Sequence, residues 1–163
     1  MILDQSTITT VLTLVAVAAA LYWVWCSPAI PADVTKPSNG GSWVSIAVDQ
    51  TVIYRDGDEL VLDPLYVDRI KTLSKGNKLV LIATATSDGD AQLIEKLFDE
   101  SEELSKLLPK HRLLFSEKEE GRISIVRQLQ PSVHFDSSAA VIAALTGKTP
   151  KLTLLTSPDS LTQ

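Results

Sequence analysis

The polar residues of this 163-residue chain that could do chemistry leave the ends of apolar runs. Asp49 follows WVSIAV, Thr84 to Thr86 follow LVLIA, Ser116 follows HRLLF, and Asp136 follows VHF. In an open parallel sheet, ligands bind outside the carboxyl ends of the strands, so these residues would converge on one site. A carboxylate at such a strand end can hold a divalent cation, which makes Asp136 a candidate ligand. Each carboxylate also has a structural role open to it. Asp136 precedes Ser137, Ser138 and a small-residue run, where an N-cap is worth about 1 kcal/mol. Asp49 can end its strand as a turn residue.

The elements that must position these residues follow from period and punctuation. WVSIAV is a β-branched run and reads as a strand. VIYRDGDELVL reads either as a hairpin turning at Asp56-Gly57 or as a loop. Asp63-Pro64 is an N-cap followed by proline at the first helical position, and Gly76 closes that helix. LVLIA, Leu79 to Ala83, is a continuous apolar strand of the kind buried on both faces. Ser87 and Asp90 have capping-box spacing. Leu93, Ile94, Leu97, Phe98, Leu104, Leu107 and Leu108 then line one face of a single helix that ends at Pro109. Glu95, Glu100, Glu102 and Glu103 form its solvated side. HRLLF is the next strand, Ser116 and Glu119 cap a helix with Ile123, Val126 and Leu129 inward, and VHF is a short strand. DSS caps AAVIAAL, Gly147 stops it, LTLL is the last strand, and the end is polar and frayed. Alternating strands and helices predict an α/β domain, Rossmann-like, with a mainly parallel sheet covered on both faces.

Composition bounds the rest. Apolar residues make up 45% of the chain but are uneven, with no charged side chain from Gln5 to Ala32. Ile8 to Trp25 is almost wholly apolar, close to the ~20 residues that span a bilayer, and Tyr22, Trp23 and Trp25 cluster at its end. A cleaved signal peptide is the alternative, but only Asp4 is charged ahead of the run and no basic residue precedes it. The expected organisation is a tail at 1–7, a transmembrane helix at 8–26, a Pro/Gly/Ser-rich linker at 27–42, the α/β domain at 43–157 and a tail at 158–163. Lys36, on the C-terminal side, is the nearest basic side chain, which by the positive-inside rule leans the domain towards the cytosol. The formal net charge is −5 with no basic stripe, which argues against nucleic acid as a partner. Cys26 is the sole cysteine, at the predicted bilayer edge, so the soluble part cannot use thiol chemistry. With His111 and His134 as the only histidines, it also lacks a His/Cys zinc set.

The strand-end residues resemble those of the haloacid-dehalogenase-like fold. That resemblance gives Asp49 the position of the nucleophile, Thr84 the Ser/Thr position, Lys118 or Arg122 the basic position, and Asp136 the metal-ligand position after the fourth core strand. The chain departs from it two residues after Asp49, where Thr51 replaces the general acid/base aspartate. Without that carboxylate nothing local protonates a leaving group or activates water.

RISIVRQLQPSVHFDSS carries a narrower resemblance. Gly121, Arg122, Ser124, Val126, Arg127, Gln128, Leu129, Pro131, His134 and Asp136 resemble the signature of the peroxin-22 family, best in its plant form. The resemblance implies a single-pass peroxisomal membrane protein with its domain in the cytosol. Its role would be to anchor and co-activate a peroxin-4-type ubiquitin-conjugating enzyme, supporting import-receptor ubiquitination and recycling. It implies no enzyme activity, cofactor or metal; the alternative is a membrane-tethered haloacid-dehalogenase-like phosphatase. Each signature residue also has a structural reading: Arg127 and Gln128 as a helix's polar side, Pro131 as a turn, His134 as a hydrogen-bonded strand residue.

Overall fold

β1 (Ser42–Ala47) lies at the centre of a five-stranded sheet. The computed structural model describes residues 42–57 and 59–161. The expected tail, transmembrane helix and nearly all of the linker, with Cys26, lie outside them. No helix among the described residues is long and apolar enough to cross a membrane.

The sheet order is β5-β4-β1-β6-β7, and every neighbouring pair is parallel. Its other strands are β4 (Asn77–Thr84), β5 (Leu113–Ser116), β6 (Val133–Asp136) and β7 (Leu152–Leu154). The chain runs outward from β1 through β4 to β5, then crosses to β6 on the other side of β1. This reversal creates a crevice at the carboxyl ends of β4, β1 and β6, where Asp49, Thr84 and Asp136 stand.

Alternate residues of the strands feed two cores. Val44, Ile46, Leu79, Leu81, Ala83, Val133 and Phe135 face α1 (Pro64–Ser74), α2 (Asp88–Glu100) and α3 (Glu102–Leu107). Val80 and Ile82 face α4 (Glu119–Leu129) and α5 (Ala139–Leu145) on the other side. The expected α/β layering with helices on both faces is therefore present. Residues Pro37–Gln163 cluster as one compact unit, which contains the whole sheet and both cores.

Several local expectations need correction. The hairpin forms as β2 (Ile53–Asp56) and β3 (Glu59–Leu62), but Asp56 pairs with Glu59, so Asp56 belongs to the strand and Gly57, at φ 62, does the turning. Asp63 caps α1 through Leu65 N–H at 2.8 Å as expected, yet Lys75 ends the helix in right-handed conformation and Gly76 takes no left-handed turn. The single long helix is broken at Ser101, whose extended backbone and hydroxyl start α3. Ser116 does not cap α4; it ends β5, and Lys118 holds the N-cap position without a side-chain bond. Asp136 is not the N-cap of α5 but the last residue of β6, and Ser138 makes the cap. The end of the chain is not frayed through Leu161. Pro158–Ser160 form a 3₁₀ turn, Leu161 is buried, and Arg69 pairs with Asp159.

Candidate functional site

Three strand ends and one helix build the site. Asp49 follows β1 at the start of a tight turn, in which Gln50 takes a left-handed φ of 58°. Its carboxylate accepts the Thr84 N–H at 2.9 Å on Oδ1 and the Thr84 hydroxyl at 2.7 Å on Oδ2. Ser137 donates to the Asp49 carbonyl at 3.1 Å, tying the end of β1 to the loop after β6. Asp136 is fully buried, and its Oδ1 accepts the N–H of Ser138 at 2.8 Å.

The cation between the two carboxylates is Arg122, from the first turns of α4. Its side chain is 5% exposed. Nη1 bonds Asp49 Oδ2 and lies 3.3 Å from the Thr84 hydroxyl, while Nε lies 3.0 Å from Asp136 Oδ2. The Nε contact is an ion pair rather than an aligned hydrogen bond, since Nε–H has no partner along its direction. Glu119 approaches Nη2 at 3.8 Å from the solvent side. Of the two basic candidates, Arg122 enters the site; Lys118 is exposed at the helix start and makes no ion pair among the described residues.

Behind Asp136 runs a buried polar row. His134 Nε2 is 3.2 Å from Asp136 Oδ2, and His134 Nδ1 is 2.8 Å from Ser45 Oγ on β1. In the neutral ring, a proton on Nε2 would face the Asp136 carboxylate and leave Nδ1 to accept from the serine hydroxyl. Ser45 was missed in the sequence, although a lone serine inside WVSIAV was its signal.

Thr51 completes the comparison with a hydrolase. It is buried, and its hydroxyl donates to the carbonyls of Ala47 at 3.3 Å and Val48 at 3.2 Å. The side chain that stands at the acid/base position is bound to its own turn. An open cleft of about 500 Å³ lies on the solvent side of Asp49, lined by Tyr54, Arg55, Thr86 and Asp90 among others. In it, Asp90 accepts the Thr86 hydroxyl at 2.6 Å, and the hydrogen bonds from Thr86 and Ser87 hold its carboxyl below the ordinary value.

The fold would imply Mg²⁺ here, and the residues do not fit it. Among the described residues no three metal-ligating side chains of the His, Cys, Asp and Glu types come together. The two carboxylates that could share an ion share a guanidinium instead. A divalent cation would have to displace a buried arginine that already pairs with both carboxylates.

The sequence from Glu59 to Gln163 matches the family model described as peroxisome biogenesis protein 22, haloacid dehydrogenase-like domain. The chain belongs to the peroxisome biogenesis protein 22 family. No curated protein matches it in sequence. Membership assigns the chain to peroxisome biogenesis, and the match extends well upstream of the signature segment. Asp49 and Thr51 precede the matched residues.

Within the family signature the structure separates two groups. Arg122, Pro131, His134 and Asp136 are buried. Gly121 belongs with them: a Cβ there would lie 3.1 Å from the Ser116 Cβ, so its absence lets α4 approach the end of β5 closely enough to deliver Arg122. Ser124, Arg127 and Gln128 are exposed on α4, Ser124 bonding back to the Glu120 carbonyl at 2.9 Å. The first group is built into the interior of the domain, and the second faces solvent.

Proposed function

We propose that this protein is a non-catalytic peroxisomal membrane adaptor. It tethers a peroxin-4-type ubiquitin-conjugating enzyme at the cytosolic face and raises its activity, in support of import-receptor ubiquitination and recycling. Residues 8–26 anchor it, and the α/β domain is the recognition unit. Family membership supports the peroxisomal role.

The observation that carries the non-catalytic reading is the position of Arg122. A phosphoryl-transfer aspartate needs a free carboxylate, a cation open to the substrate and an acid/base partner. Asp49 Oδ2 is taken by Thr84 and Arg122, the cation is buried, and Thr51 cannot donate or accept a proton in turnover. No observation favours the phosphatase reading over this one. Fold alone does not supply a function, and here it supplies a rigid scaffold.

The test is a calorimetric titration of the Pro37–Gln163 unit with a peroxin-4-type enzyme, beside an aryl-phosphate assay with and without Mg²⁺. Binding at micromolar concentration or tighter, with no metal-dependent hydrolysis, is expected. Absence of binding at tens of micromolar, roughly the −6 kcal/mol level, refutes the adaptor reading. Hydrolysis that is lost in Asp49→Asn refutes the non-catalytic one.

A further inference from the structure

Helices that connect parallel strands run back along the sheet, so their last turns gather at the strands' N-terminal edge. At that edge stand Lys75 after α1, Lys78 in β4, Arg112 before β5, Arg127 at the end of α4, and Lys148 and Lys151 between α5 and β7. None of the six has a carboxylate within ion-pair distance among the described residues. The acids where α2 ends and α3 begins are already matched. Asp99 pairs with Lys110 at 2.5 Å, Glu102 with Lys106 at 2.6 Å, Glu103 with Lys71 at 2.7 Å, and Glu100 with Lys96 at 3.6 Å. The opposite edge holds the acidic helix starts Asp88, Asp90, Glu119 and Glu120. A chain of net charge −5 thus presents one basic pole.

Trp43 stands in that pole and is 42% exposed. Lys78 Nζ lies 5.8 Å and the Arg112 guanidinium 5.4 Å from its ring centroid. An exposed indole flanked by cations combines the two chemistries that favour a lipid headgroup layer, an amphipathic ring and positive charge. The chain also enters the fold here, since β1 begins at Ser42, the last residue of the 27–42 linker expected from the sequence.

We propose that the N-terminal edge of the sheet is a lipid-docking surface that rests on anionic phospholipid headgroups, with Trp43 at its centre. The inference rests on the anchoring reading only for which membrane is met; the contact itself needs none of residues 8–26. It orients the domain, turning the acidic edge and the Asp49 cleft away from the bilayer.

The Pro37–Gln163 unit carries the whole sheet and both cores, so it serves as the test protein. It is sedimented with vesicles of phosphatidylcholine alone or of phosphatidylcholine with phosphatidylinositol, at low and physiological salt. Binding is expected to the anionic vesicles, to weaken with salt, and to fall roughly fivefold for each cation removed in Lys78→Gln and Lys151→Gln. Trp43→Ala lowers it further, while Lys118→Gln, at the other edge, leaves it unchanged. Equal binding to neutral vesicles, no binding at low salt, or indifference to both lysine substitutions overturns the proposal. No vesicle binding at low salt, together with capture of an acidic protein that weakens in Lys78→Gln and Lys151→Gln, would make the pole a protein-binding surface. Carbonate extraction of the full chain from membranes reports the anchoring separately, so failure of one reading is not mistaken for failure of the other.

Discussion

Arg122→Met keeps most of the side-chain stem and removes the cation. It leaves Asp136, with no exposed surface, facing Asp49, whose side chain is 24% exposed. Removing one partner from a buried ion pair costs roughly 3–5 kcal/mol. The lower end applies here. Asp49 retains two donors from Thr84, and Asp136 retains the Ser138 N–H and His134, so neither carboxylate is left bare. A loss of about 3 kcal/mol is a large share of a stability of roughly 5–15 kcal/mol. With a urea dependence near 2 kcal/mol per molar, the unfolding midpoint falls by about 1.5 M. Asp136→Asn in the Arg122→Met background should recover about 1–2 kcal/mol, because the two residues share one interaction. Equilibrium urea unfolding of the Pro37–Gln163 unit, of Arg122→Met, of Asp136→Asn and of the double variant, followed by circular dichroism, reads all of these. A deficit below about 1 kcal/mol, or one that Asp136→Asn deepens additively, would show that Arg122 acts through packing of its stem rather than through charge.

Two other perturbations test the surrounding physics. Gly121→Ala gains up to ~1 kcal/mol of helix propensity but drives a Cβ to 3.1 Å from the Ser116 Cβ. Overpacking of this kind costs about 1–3 kcal/mol, so the variant should unfold at lower urea than the wild type; an unchanged or higher midpoint would mean that α4 moves freely. Tyr66 is buried, and desolvation, with a smaller contribution from the Asp63 charge, raises its pKa above 10.0. A raised folded pKa gives stability that is present below pH ~10 and lost as pH rises through the folded value. Ultraviolet titration should therefore show a tyrosine that ionises above 10.0 and is absent in Tyr66→Phe, and that substitution should flatten the alkaline loss; a Tyr66 that ionises at or below 10.0 contradicts its burial.

The sheet was legible where chemistry and period agreed. Leu79–Ala83 is apolar without interruption because β4 is covered on both sides, and that cannot be confused with a half-exposed strand. The apolar runs put Asp49, Thr84 and Asp136 at strand ends, and the structure brings them to one crevice. Arg122 was harder to read. Counting Ile123, Val126 and Leu129 as the inward stripe leaves Arg122 looking solvated, yet Arg122 and Val126 are four residues apart and share a helix face. Both are buried. The break at Ser101 was also written locally, as a serine followed by two acids, but the apolar stripe runs through it without a change of phase. Asp136 was read as a cap because Asp, Ser and Ser all cap well; which one does so depends on where β6 stops, and pairing with β7 carries β6 through Asp136.

The central place of β1 also sets the order in which the sheet can close. Ser42 pairs with Asn77, so the first neighbour of β1 arrives soon after it, but the Ser45–His134 contact joins residues 89 apart in sequence. During synthesis at about 5–20 residues per second, one edge of β1 waits roughly 4–18 seconds for β6 to be made. An open apolar strand edge is a template for the wrong neighbour. Ser45 puts a hydroxyl on that strand, and only a strand that brings an acceptor opposite it can bury it without loss. His134 supplies that acceptor. A neighbour that left this hydroxyl without a partner would carry an energetic penalty that β6 does not, which favours the native pairing while the chain is being made.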